Sequence, residues 1–303
     1  MDEINQLFRL APRQTLAQAL TQAMEFLESC GCFFGHGTDN AWDEAALLLF
    51  WAMGMDDDPG SDALSMRIDE KQAARFESAI NTRGKDRIPA AYIIGEAWFC
   101  DLKFFVDRHV LVPRSPIAEL IKQAYRPWVA GQPKRILDLC CGSGCIGIAA
   151  AMRDQAAEVV LSDLSSDALS IAQKNIDRYA LNDRVTTVQG DLFENLSGLR
   201  FDLILSNPPY VDAQDIAEMP EEYKHEPTMG LGAGQDGLDI AKQIFGSAGD
   251  YLEDEGSLIM ELGNSWVNLE KAYPLVPFTW IDFSQGGEGV CAMARKQLDT
   301  YRV

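Results

Sequence analysis

The amino-acid sequence predicts an α/β protein in which a small helical domain precedes a doubly wound, Rossmann-like sheet. Three observations predict this class. Short apolar strands alternate with amphipathic helices from residue 133 onwards. The glycine-rich turn G-S-G-C-I-G, at 142–147, joins the first of these strands to a helix. Residues 1–85, in contrast, carry their apolar side chains at helical spacing.

The N-terminal domain, residues 1–85, is expected to contain three helices. Apolar periodicity places these helices at residues 16–27, 42–53 and 69–83. Either Asp39 or Asn40 is expected to cap the second helix, and Gly54 is expected to end it.

Residues 86–132 are expected to link the two domains. The aromatic and β-branched stretch at 88–107 predicts a β-hairpin with its turn near Asp101. A short extended piece follows and leads into a linker helix that is expected to end near Tyr125.

Residues 133–303 are expected to form the α/β domain. The predicted strands cover residues 135–140, 158–162, 185–189, 201–205 and 257–261, and the predicted helices cover 144–153, 166–179 and 238–252. The tail differs, since 278–284 and 289–295 predict an antiparallel pair of strands that closes one edge of the sheet.

The composition is that of an acidic globular protein. The 303 residues include 46 acidic and 26 basic side chains, which gives a formal net charge of −20. Such a surface repels nucleic-acid phosphates and attracts basic partners, so direct DNA binding is not expected. The seven cysteines are odd in number and scattered. With no secretory signal at the acidic N-terminus and no membrane-length apolar run, they predict a cytoplasmic protein with reduced thiols.

The turn at 142–147 satisfies the pattern G-x-G-x-x-G through Gly142, Gly144 and Gly147. Glycines let the backbone approach a ligand closely, and the following helix N-terminus offers free N–H groups. Asp163 ends the second strand about twenty residues later, where an acid binds the ribose hydroxyls of a nucleotide. These features predict a nucleoside-containing cofactor, and they leave NAD and S-adenosylmethionine as alternatives.

Three further residues distinguish the two cofactors and complete the predicted pocket. Asp138 lies inside the first strand, just before the glycines. It favours S-adenosylmethionine, because an acid at this position commonly serves the amino-acid end of that cofactor. Asp191 and Leu192 follow the third strand, where the adenine is expected. Asp191 is the candidate acceptor for the exocyclic amine, and Leu192 is a wall of the adenine pocket.

The fourth strand ends in Asn207-Pro208-Pro209-Tyr210. In open α/β sheets the ligand crevice lies beyond the carboxyl ends of the strands, so this tip is expected to face the cofactor. The Asn207 side-chain oxygen and the Pro208 carbonyl are expected to accept both N–H bonds of a planar amide or aromatic amine during methyl transfer. The prolines stiffen the loop, and Tyr210 offers a flat wall. Taken alone, the four residues are equally compatible with a strand-terminating turn.

No metal is expected at this site, because methyl transfer to a planar nitrogen does not require one. The three histidines, His36, His109 and His225, are also too dispersed along the chain to suggest a metal site.

Together these motifs resemble the S-adenosylmethionine-dependent protein N5-glutamine methyltransferases over nearly the whole chain. The resemblance is carried by R-I-P-A-A-Y-I-I-G-E-A-W-F at 87–99, V-L-V-P-R at 110–114, H-E-P at 225–227 and G-Q-D-G-L-D at 234–239. It implies a seven-stranded class I methyltransferase domain, a helical domain that recognises the substrate, and a hairpin linker. Asp101 departs from the pattern, since members of the family often carry a glycine in that turn.

The resemblance also implies the site residues. Asn207, Pro208 and Tyr210 are the expected catalytic residues, and with Pro209, Phe99, Phe105 and Arg114 they are expected to bind the target glutamine. The cofactor is expected to contact Asp138, Cys140, Cys141, Gly142, Ser143, Gly144, Asp163, Leu164, Asp191, Leu192 and Asn207. Phe99 and Phe105 fit equally well as ordinary hairpin core.

Two branches of this family differ in substrate. One modifies the Gly-Gly-Gln loop of peptide-chain release factors and typically continues V-L-I-P-R with Pro-Glu-Thr-Glu. The other modifies a glutamine of large-subunit ribosomal protein three, and Ser115-Pro116-Ile117 resembles that branch, as does A-W-F-C at 97–100. Two more distant alternatives stay open. A nucleic-acid amino-methyltransferase uses similar tips but conflicts with the acidic charge, and an NAD-dependent oxidoreductase leaves the tip without a role.

Overall fold

A computed structural model of the chain describes residues 7–56, 59–284 and 286–301. The acidic N-terminal stretch predicts that the chain has no secretory signal. Residues 1–6, which are most of that stretch, lie outside the described residues. The chain divides into two compact units. The first runs to Glu96 and includes Pro220–His225, and the second comprises Ala97–Met219 with the chain from Glu226 onwards.

The first unit is helical, as predicted. Its helices are α1 (Leu16–Ser29), α2 (Ala41–Met53), α3 (Glu70–Lys85) and the short α4 (Ala90–Ile94). Of the two candidate caps for α2, Asn40 is the one used, since its side chain accepts a hydrogen bond of 2.9 Å from the backbone N–H of Asp43. Gly54 ends α2 in the left-handed conformation, with φ of 69°, so the predicted stop is confirmed.

A buried charge cluster lies beside the apolar core of this unit. The Arg83 side chain is only 1% exposed and donates to Glu44 at 2.8 Å and to Glu222 at 2.9 Å. Arg87 also donates to Glu222, at 2.8 Å. Glu222 comes from the segment Pro220–His225, so this stretch of the C-terminal half belongs with the helices. Nothing in the sequence pattern indicated that placement.

The predicted hairpin over 88–107 is wrong in its first part. Residues Ala90–Ile94 are helical, and Gly95 ends this turn with φ of 82°. The reason is local, because Pro89 and two alanines favour a helix start more strongly than the following isoleucines favour a strand. The hairpin itself is short and consists of β1 (Glu96–Phe99) and β2 (Leu102–Phe105).

The hairpin turn near residue 101 is confirmed, and its geometry explains the departure from glycine. Cys100 and Asp101 have φ of 49° and 62°, so both central residues adopt the left-handed conformation of a two-residue hairpin turn. Asp tolerates this conformation better than most side chains do, which is why it stands where the family often has glycine.

The second unit is built on a seven-stranded sheet. Its strands are β3 (Arg135–Leu139), β4 (Glu158–Asp163), β5 (Val185–Gln189), β6 (Phe201–Ser206), β7 (Leu252–Glu261), β8 (Thr279–Trp280) and β9 (Val290–Ala294). Its helices are α5 (Ile117–Lys122), α6 (Cys145–Arg153), α7 (Ser166–Arg178), α8 (Ala213–Glu218), α9 (Asp239–Tyr251), α10 (Trp266–Ala272) and α11 (Arg295–Tyr301).

The strand order is β5-β4-β3-β6-β7-β9-β8. Neighbouring strands from β5 to β7 are parallel, and β9 is antiparallel to both β7 and β8. The predicted α/β class, the parallel sheet and the antiparallel tail are therefore confirmed. Apolar side chains on both faces of the sheet form two buried clusters, which is usual for a sheet covered by helices on each side.

Several element boundaries differ from the predictions, and β8, at Thr279–Trp280, is shorter than the predicted strand at 278–284. Strand β7 begins at Leu252 rather than at 257, because three exposed acidic residues extend it before the apolar run. Helix α9 accordingly ends at Tyr251. Helix α5 stops at Lys122 rather than near Tyr125, since Ala124 and Tyr125 both have positive φ and leave the helical conformation. Among the described residues, no helix is long and apolar enough to cross a membrane.

Candidate active site

The register of the sheet brings four strand ends to one edge. Leu139 of β3 lies opposite Ser162 of β4 and Ser206 of β6, and Ser206 lies opposite Met260 of β7. Because these strands are parallel, the residue that follows each position lies at the same carboxyl edge. The four residues so aligned are Cys140, Asp163, Asn207 and Glu261.

The glycine loop needs its glycines for two different reasons. Gly142 and Gly144 have φ of 54° and 77°, a conformation that other residues adopt at a cost. Gly147 is required by space, since a Cβ there would lie 2.3 Å from a methyl carbon of Leu161 and 2.8 Å from Cβ of Asp138. The loop therefore brings helix α6 very close to the sheet and leaves its backbone facing the carboxyl edge.

Asp138 lies beneath this loop and is fully buried. Its Oδ2 accepts a hydrogen bond of 2.7 Å from the backbone N–H of Gly147. Its Oδ1 is buried with no hydrogen-bond partner in the described part of the chain. Burial, assisted by the nearby charge of Asp163, raises the pKa of Asp138 to about 7. A buried, unpartnered carboxylate oxygen is costly, so this atom fits a cationic donor group of a ligand.

Asp163 is oriented by the backbone around it. Its Oδ2 accepts from the N–H of Gly142 and its Oδ1 from the N–H of Ser165, both at 2.8 Å. Burial raises its pKa, and these backbone hydrogen bonds oppose the rise. Each oxygen keeps a second lone pair, so the carboxylate can still accept from ligand hydroxyls. The next residue, Leu164, is 51% exposed, which places an apolar surface beside that acid.

The loop after β5 lies beside the carboxyl end of β4. Its Gly190 N–H donates to the Asp163 carbonyl at 3.1 Å, which fastens it to the end of β4. Asp191 is exposed and Leu192 is half-buried, with φ of 49° at Leu192. The two residues predicted to contact adenine therefore lie beside the predicted ribose-binding acid.

The cysteines of the glycine loop contribute shape rather than reactivity. Burial, assisted by the nearby aspartates, raises the pKa of the Cys140 and Cys141 thiols well above the usual range. They are therefore protonated at neutral pH and are poor nucleophiles. All seven cysteines of the chain are free.

The Asn207–Tyr210 tip emerges between the glycine loop and β7. Ser206 anchors its base by donating a hydrogen bond of 2.8 Å to the Leu139 carbonyl. In the described chain, no hydrogen bond occupies the Asn207 side-chain oxygen or the Pro208 carbonyl. Both acceptors are held on a rigid loop, so they are available to a bound substrate.

Tyr210 is fixed by residues that follow β7. Its hydroxyl donates to Glu261 Oε1 at 3.0 Å, and its carbonyl accepts from Ser265 Oγ at 2.6 Å. Gly263 lies against the ring, since a Cβ there would be 2.4 Å from Cε2 of Tyr210. None of these three residues was a candidate from the sequence. The signal for Glu261 was present, because an acid ends an apolar strand at the carboxyl edge of the sheet.

Two family models and two curated relatives match this chain. The family model "Methyltransferase small domain" matches residues 121–221, and the model "PrmC N-terminal domain" matches residues 18–95. A protein of Francisella tularensis named ribosomal protein uL3 glutamine methyltransferase is 43% identical, over 89% of this chain and 87% of its own. A protein of the same name from Bordetella pertussis is 40% identical, over 95% of this chain and 97% of its own.

Identity at this level, over nearly the whole of each protein, decides the family. The chain is a uL3 glutamine methyltransferase family member. The branch predicted from Ser115-Pro116-Ile117 is thereby confirmed at the level of the family. Among solved structures, a methyltransferase from Pyrococcus furiosus is 18% identical with a TM-score of 0.45, and the match covers 63% of this chain and 89% of that one. The assignment rests on the two sequence relatives.

In this family member, one buried amide joins the hairpin to the glycine loop. Asn175 of α7 is fully buried. Its Oδ1 accepts from the Phe105 N–H at 2.7 Å, and its Nδ2 donates to the Phe105 carbonyl at 3.1 Å. The same Nδ2 donates to the Ser143 carbonyl at 2.9 Å. Sequence reasoning missed Asn175, although a polar residue on the apolar face of a helix was a usable signal.

The predicted substrate-binding aromatic residues of this family member have different environments. Phe99 is 5% exposed and packs against Phe104, with ring centroids 6.4 Å apart, so it belongs to the core. Phe105 is 37% exposed, and the Arg178 guanidinium lies 4.6 Å from its ring centroid. Of these two aromatic residues, Phe105 is the one that Asn175 links to the glycine loop. A substrate role for either residue stays a prediction.

Arg114, also predicted to bind substrate, has a buried partner. Its guanidinium donates to both oxygens of Glu226, at 2.6 and 2.7 Å, and the Val112 N–H donates to Glu226 at 2.9 Å. This bidentate pair joins the V-L-V-P-R segment to the H-E-P segment. Its geometry indicates that Arg114 holds these two segments together.

In the described ranges, no three His, Cys, Asp or Glu side chains are grouped to hold a metal ion.

Proposed function

We propose that this protein transfers the methyl group of S-adenosylmethionine to the side-chain amide nitrogen of a glutamine in ribosomal protein uL3. One observation carries the proposal. Two oxygen acceptors, on the Asn207 side chain and the Pro208 carbonyl, lie on a rigid tip at the same sheet edge as the glycine loop and its two acids. The identity to two proteins with that name supports the choice of substrate.

The residues of the glycine loop suit the methyl donor. The unpartnered oxygen of Asp138 fits the cationic amino group at the amino-acid end, and Asp163 fits the ribose hydroxyls. Leu164 and Leu192 offer apolar surface for the adenine, Asp191 a carboxylate for its amine, and Cys140–Gly144 the backbone contacts. The sulfonium group of the bound donor supplies an electrophilic methyl group.

The tip suits an amide because an amide nitrogen is a poor nucleophile. Its lone pair is conjugated with the carbonyl, and positive charge develops on it as the new N–C bond forms. Acceptors at Asn207 and Pro208 bind the two N–H bonds, orient the nitrogen and stabilise that charge. The bond between methyl and sulfur breaks with its electron pair left on sulfur, and one N–H proton is lost to water.

The helical domain, residues 1–85, is proposed to recognise the protein substrate. The Asn207–Tyr210 tip binds only the side chain of the target glutamine, so a further surface is needed to select the protein that carries it. The net charge of −20 suits a basic ribosomal protein, because opposite charges steer association. We place the reaction in the cytoplasm, where the proteins of the ribosome are available before assembly.

The experiment supplies the purified enzyme with methyl-labelled S-adenosylmethionine and, in separate reactions, purified uL3 and purified release factors. Transferred label is quantified, and the modified residue is located by mass spectrometry of proteolytic fragments. The expected result is label on the amide of one glutamine in uL3.

Label on release factors alone would replace the proposed substrate with the Gly-Gly-Gln loop. If neither protein is labelled and calorimetry shows that the enzyme still binds S-adenosylhomocysteine, the proposed substrate class is refuted. Stabilisation by NADH and not by S-adenosylhomocysteine would refute the cofactor.

A further inference from the structure

Glu261 lies at the last position of β7 and at the sheet edge that carries the Asn207–Tyr210 tip. It is 6% exposed, and each of its two carboxylate oxygens accepts a hydrogen bond from a hydroxyl group. The Tyr210 hydroxyl donates to Oε1 at 3.0 Å, and the Ser115 hydroxyl donates to Oε2 at 2.5 Å. The carboxylate therefore joins two parts of the chain that are far apart in sequence.

Ser115 is itself held in place. It is 6% exposed, and its Oγ accepts a hydrogen bond of 3.2 Å from the N–H of Ile117 at the start of α5. It directly follows the V-L-V-P-R segment, at a position where the release-factor pattern has a proline. A proline side chain has no hydrogen-bond donor, so it cannot make the contact to Glu261. The branch difference thus coincides with a direct contact to the carboxylate behind Tyr210.

The orientation of the Tyr210 ring depends on this contact. The backbone carbonyl of Tyr210 is held by Ser265, and the ring rests against the backbone of Gly263. These contacts fix the backbone of Tyr210 and support one face of its ring. Its hydroxyl end is anchored by Glu261. A wall for a planar amide is effective only if the far end of the ring is anchored as well.

We propose that Glu261 is a positioning residue for methyl transfer, which orients the Tyr210 ring through its hydroxyl, and that Ser115 orients Glu261 in turn. The inference rests on the proposed amide methylation. It assigns a physical role to the serine that distinguishes the two branches. It also distinguishes two kinds of residue at the tip, since Asn207 and Pro208 bind the amide whereas Glu261 acts through Tyr210.

The charge state of Glu261 provides a readout that is specific to this role. Burial raises the pKa of its carboxyl, which the two hydroxyl donors and Arg114 oppose. Arg114 is the charged group that acts on it, and this guanidinium is itself paired with Glu226. When the carboxyl is protonated it becomes a donor and loses an acceptor site for its two partners. The turnover rate should therefore fall as the pH falls through the pKa of Glu261.

The experiment compares Glu261→Gln, Tyr210→Phe and Ser115→Ala with the wild-type enzyme, with uL3 as substrate and saturating S-adenosylmethionine. Each variant removes one member of the chain of hydrogen bonds and little volume. We expect kcat to fall about 10- to 100-fold in Glu261→Gln and Tyr210→Phe, and less in Ser115→Ala. The affinity for S-adenosylhomocysteine should be unchanged in all three. The double variant Tyr210→Phe/Glu261→Gln should be no slower than the worse single variant, because both act through one contact.

Glu253→Gln is the matched control, since it neutralises an exposed glutamate on the same strand. It should turn over like the wild type. The acid limb of the kcat profile should be present in the wild type and in Glu253→Gln and absent in Glu261→Gln. Circular dichroism and S-adenosylhomocysteine affinity check that each variant is folded.

Wild-type kcat in folded Glu261→Gln would overturn the proposal, and so would fully additive losses in the double variant. These outcomes are distinct from failure of the proposed function. In that case the wild-type enzyme itself transfers no methyl group to uL3.

Discussion

The carboxylate of Asp138 accepts a hydrogen bond of 2.7 Å from the backbone N–H of Gly147. This contact fastens the first turn of α6 to β3 next to the carboxyl end of the strand. It uses only one carboxylate oxygen, and the other is buried without a partner in the described chain. One oxygen of Asp138 therefore has a structural partner, and the other is the proposed acceptor for the ligand, so mutation can test the two roles separately.

Asp138→Asn is expected to weaken binding of S-adenosylhomocysteine about 10- to 100-fold, because the cationic amino group loses a charged acceptor. In the wild type the affinity should rise with pH through about 7, as the carboxyl ionises. Isothermal titration calorimetry between pH 6 and 8 measures both effects. An equally steep pH dependence in the variant would contradict this role.

The same substitution is expected to stabilise the ligand-free protein at pH 8. The pKa of Asp138 is raised in the folded state from 3.8 to about 7, so folding is progressively disfavoured as pH rises between these values. Asparagine removes that penalty and keeps an acceptor for Gly147. Thermal unfolding at pH 8 checks the sign, and a lower Tm than wild type would contradict it.

Gly147→Ala is expected to destabilise the protein by about 1–3 kcal/mol, because its Cβ would overlap Leu161 and Asp138 at the helix–sheet contact. Gly249→Ala is the matched control. Gly249 also lies within a helix, but the closest atom to an added Cβ is a carboxylate oxygen of Asp299, the end of a flexible side chain. Urea unfolding of both variants tests the difference, and equal midpoints would contradict it.

Asn207→Ala is expected to lower kcat about 100- to 1,000-fold, since it removes an acceptor that opposes the charge developing on the amide nitrogen. Binding of S-adenosylhomocysteine should stay close to wild type. Single-turnover methyl transfer to uL3 measures the rate. A variant that turns over normally would exclude Asn207 from the chemistry.

Asn175→Ala is expected to cost about 2–4 kcal/mol, because it leaves the Phe105 N–H and two carbonyl groups without their buried partner. It should also weaken S-adenosylhomocysteine binding, since the Ser143 carbonyl is part of the glycine loop. The exposed Asn182→Ala is the control and should cost about 0.5 kcal/mol or less. If calorimetry and urea unfolding show equal effects for both, the link between hairpin and loop is unimportant.

Glu222→Gln is expected to destabilise the helical unit by about 3–5 kcal/mol, because Arg83 is left with an incompletely paired buried charge. Burial opposes ionisation, but hydrogen bonds from Arg87, the Phe33 N–H and Arg83 lower the pKa of Glu222 from 4.5 to about 2. The stabilisation is therefore present above pH 4.5 and is lost as pH falls towards 2.

Glu221→Gln is the control for that prediction. Glu221 is 62% exposed, and in the described chain its ion pair is with an exposed lysine, so its loss should cost about 0–1 kcal/mol. Urea unfolding at pH 7 and pH 3 should show a larger difference in stability between the two variants at pH 7 than at pH 3. Equal stability at pH 7 would contradict the role of Glu222.

The sequence was sufficient for the features that depend on neighbours along the chain. Alternating strands and helices, the glycines before α6 and the acid at the end of β4 are local patterns, and the structure confirms the α/β class they predict. The tip was also recognisable, because two prolines directly after an apolar strand are incompatible with an ordinary continuation. The helix at Ala90–Ile94 was misjudged, since short apolar runs do not separate helix from strand.

The partners of Glu261, Asn175 and Glu222 were beyond local patterns. Each is a polar group whose partners are distant in sequence, such as Ser115 for Glu261 or Arg83 for Glu222. Whether such a group is buried, and what it then pairs with, is decided only when strands and helices pack, because burial makes an unpaired polar atom costly. The sequence by itself determined the α/β class, the glycine loop after β3 and the Asn-Pro-Pro-Tyr tip after β6. The tertiary structure decided which buried side chains hold that tip and loop in place.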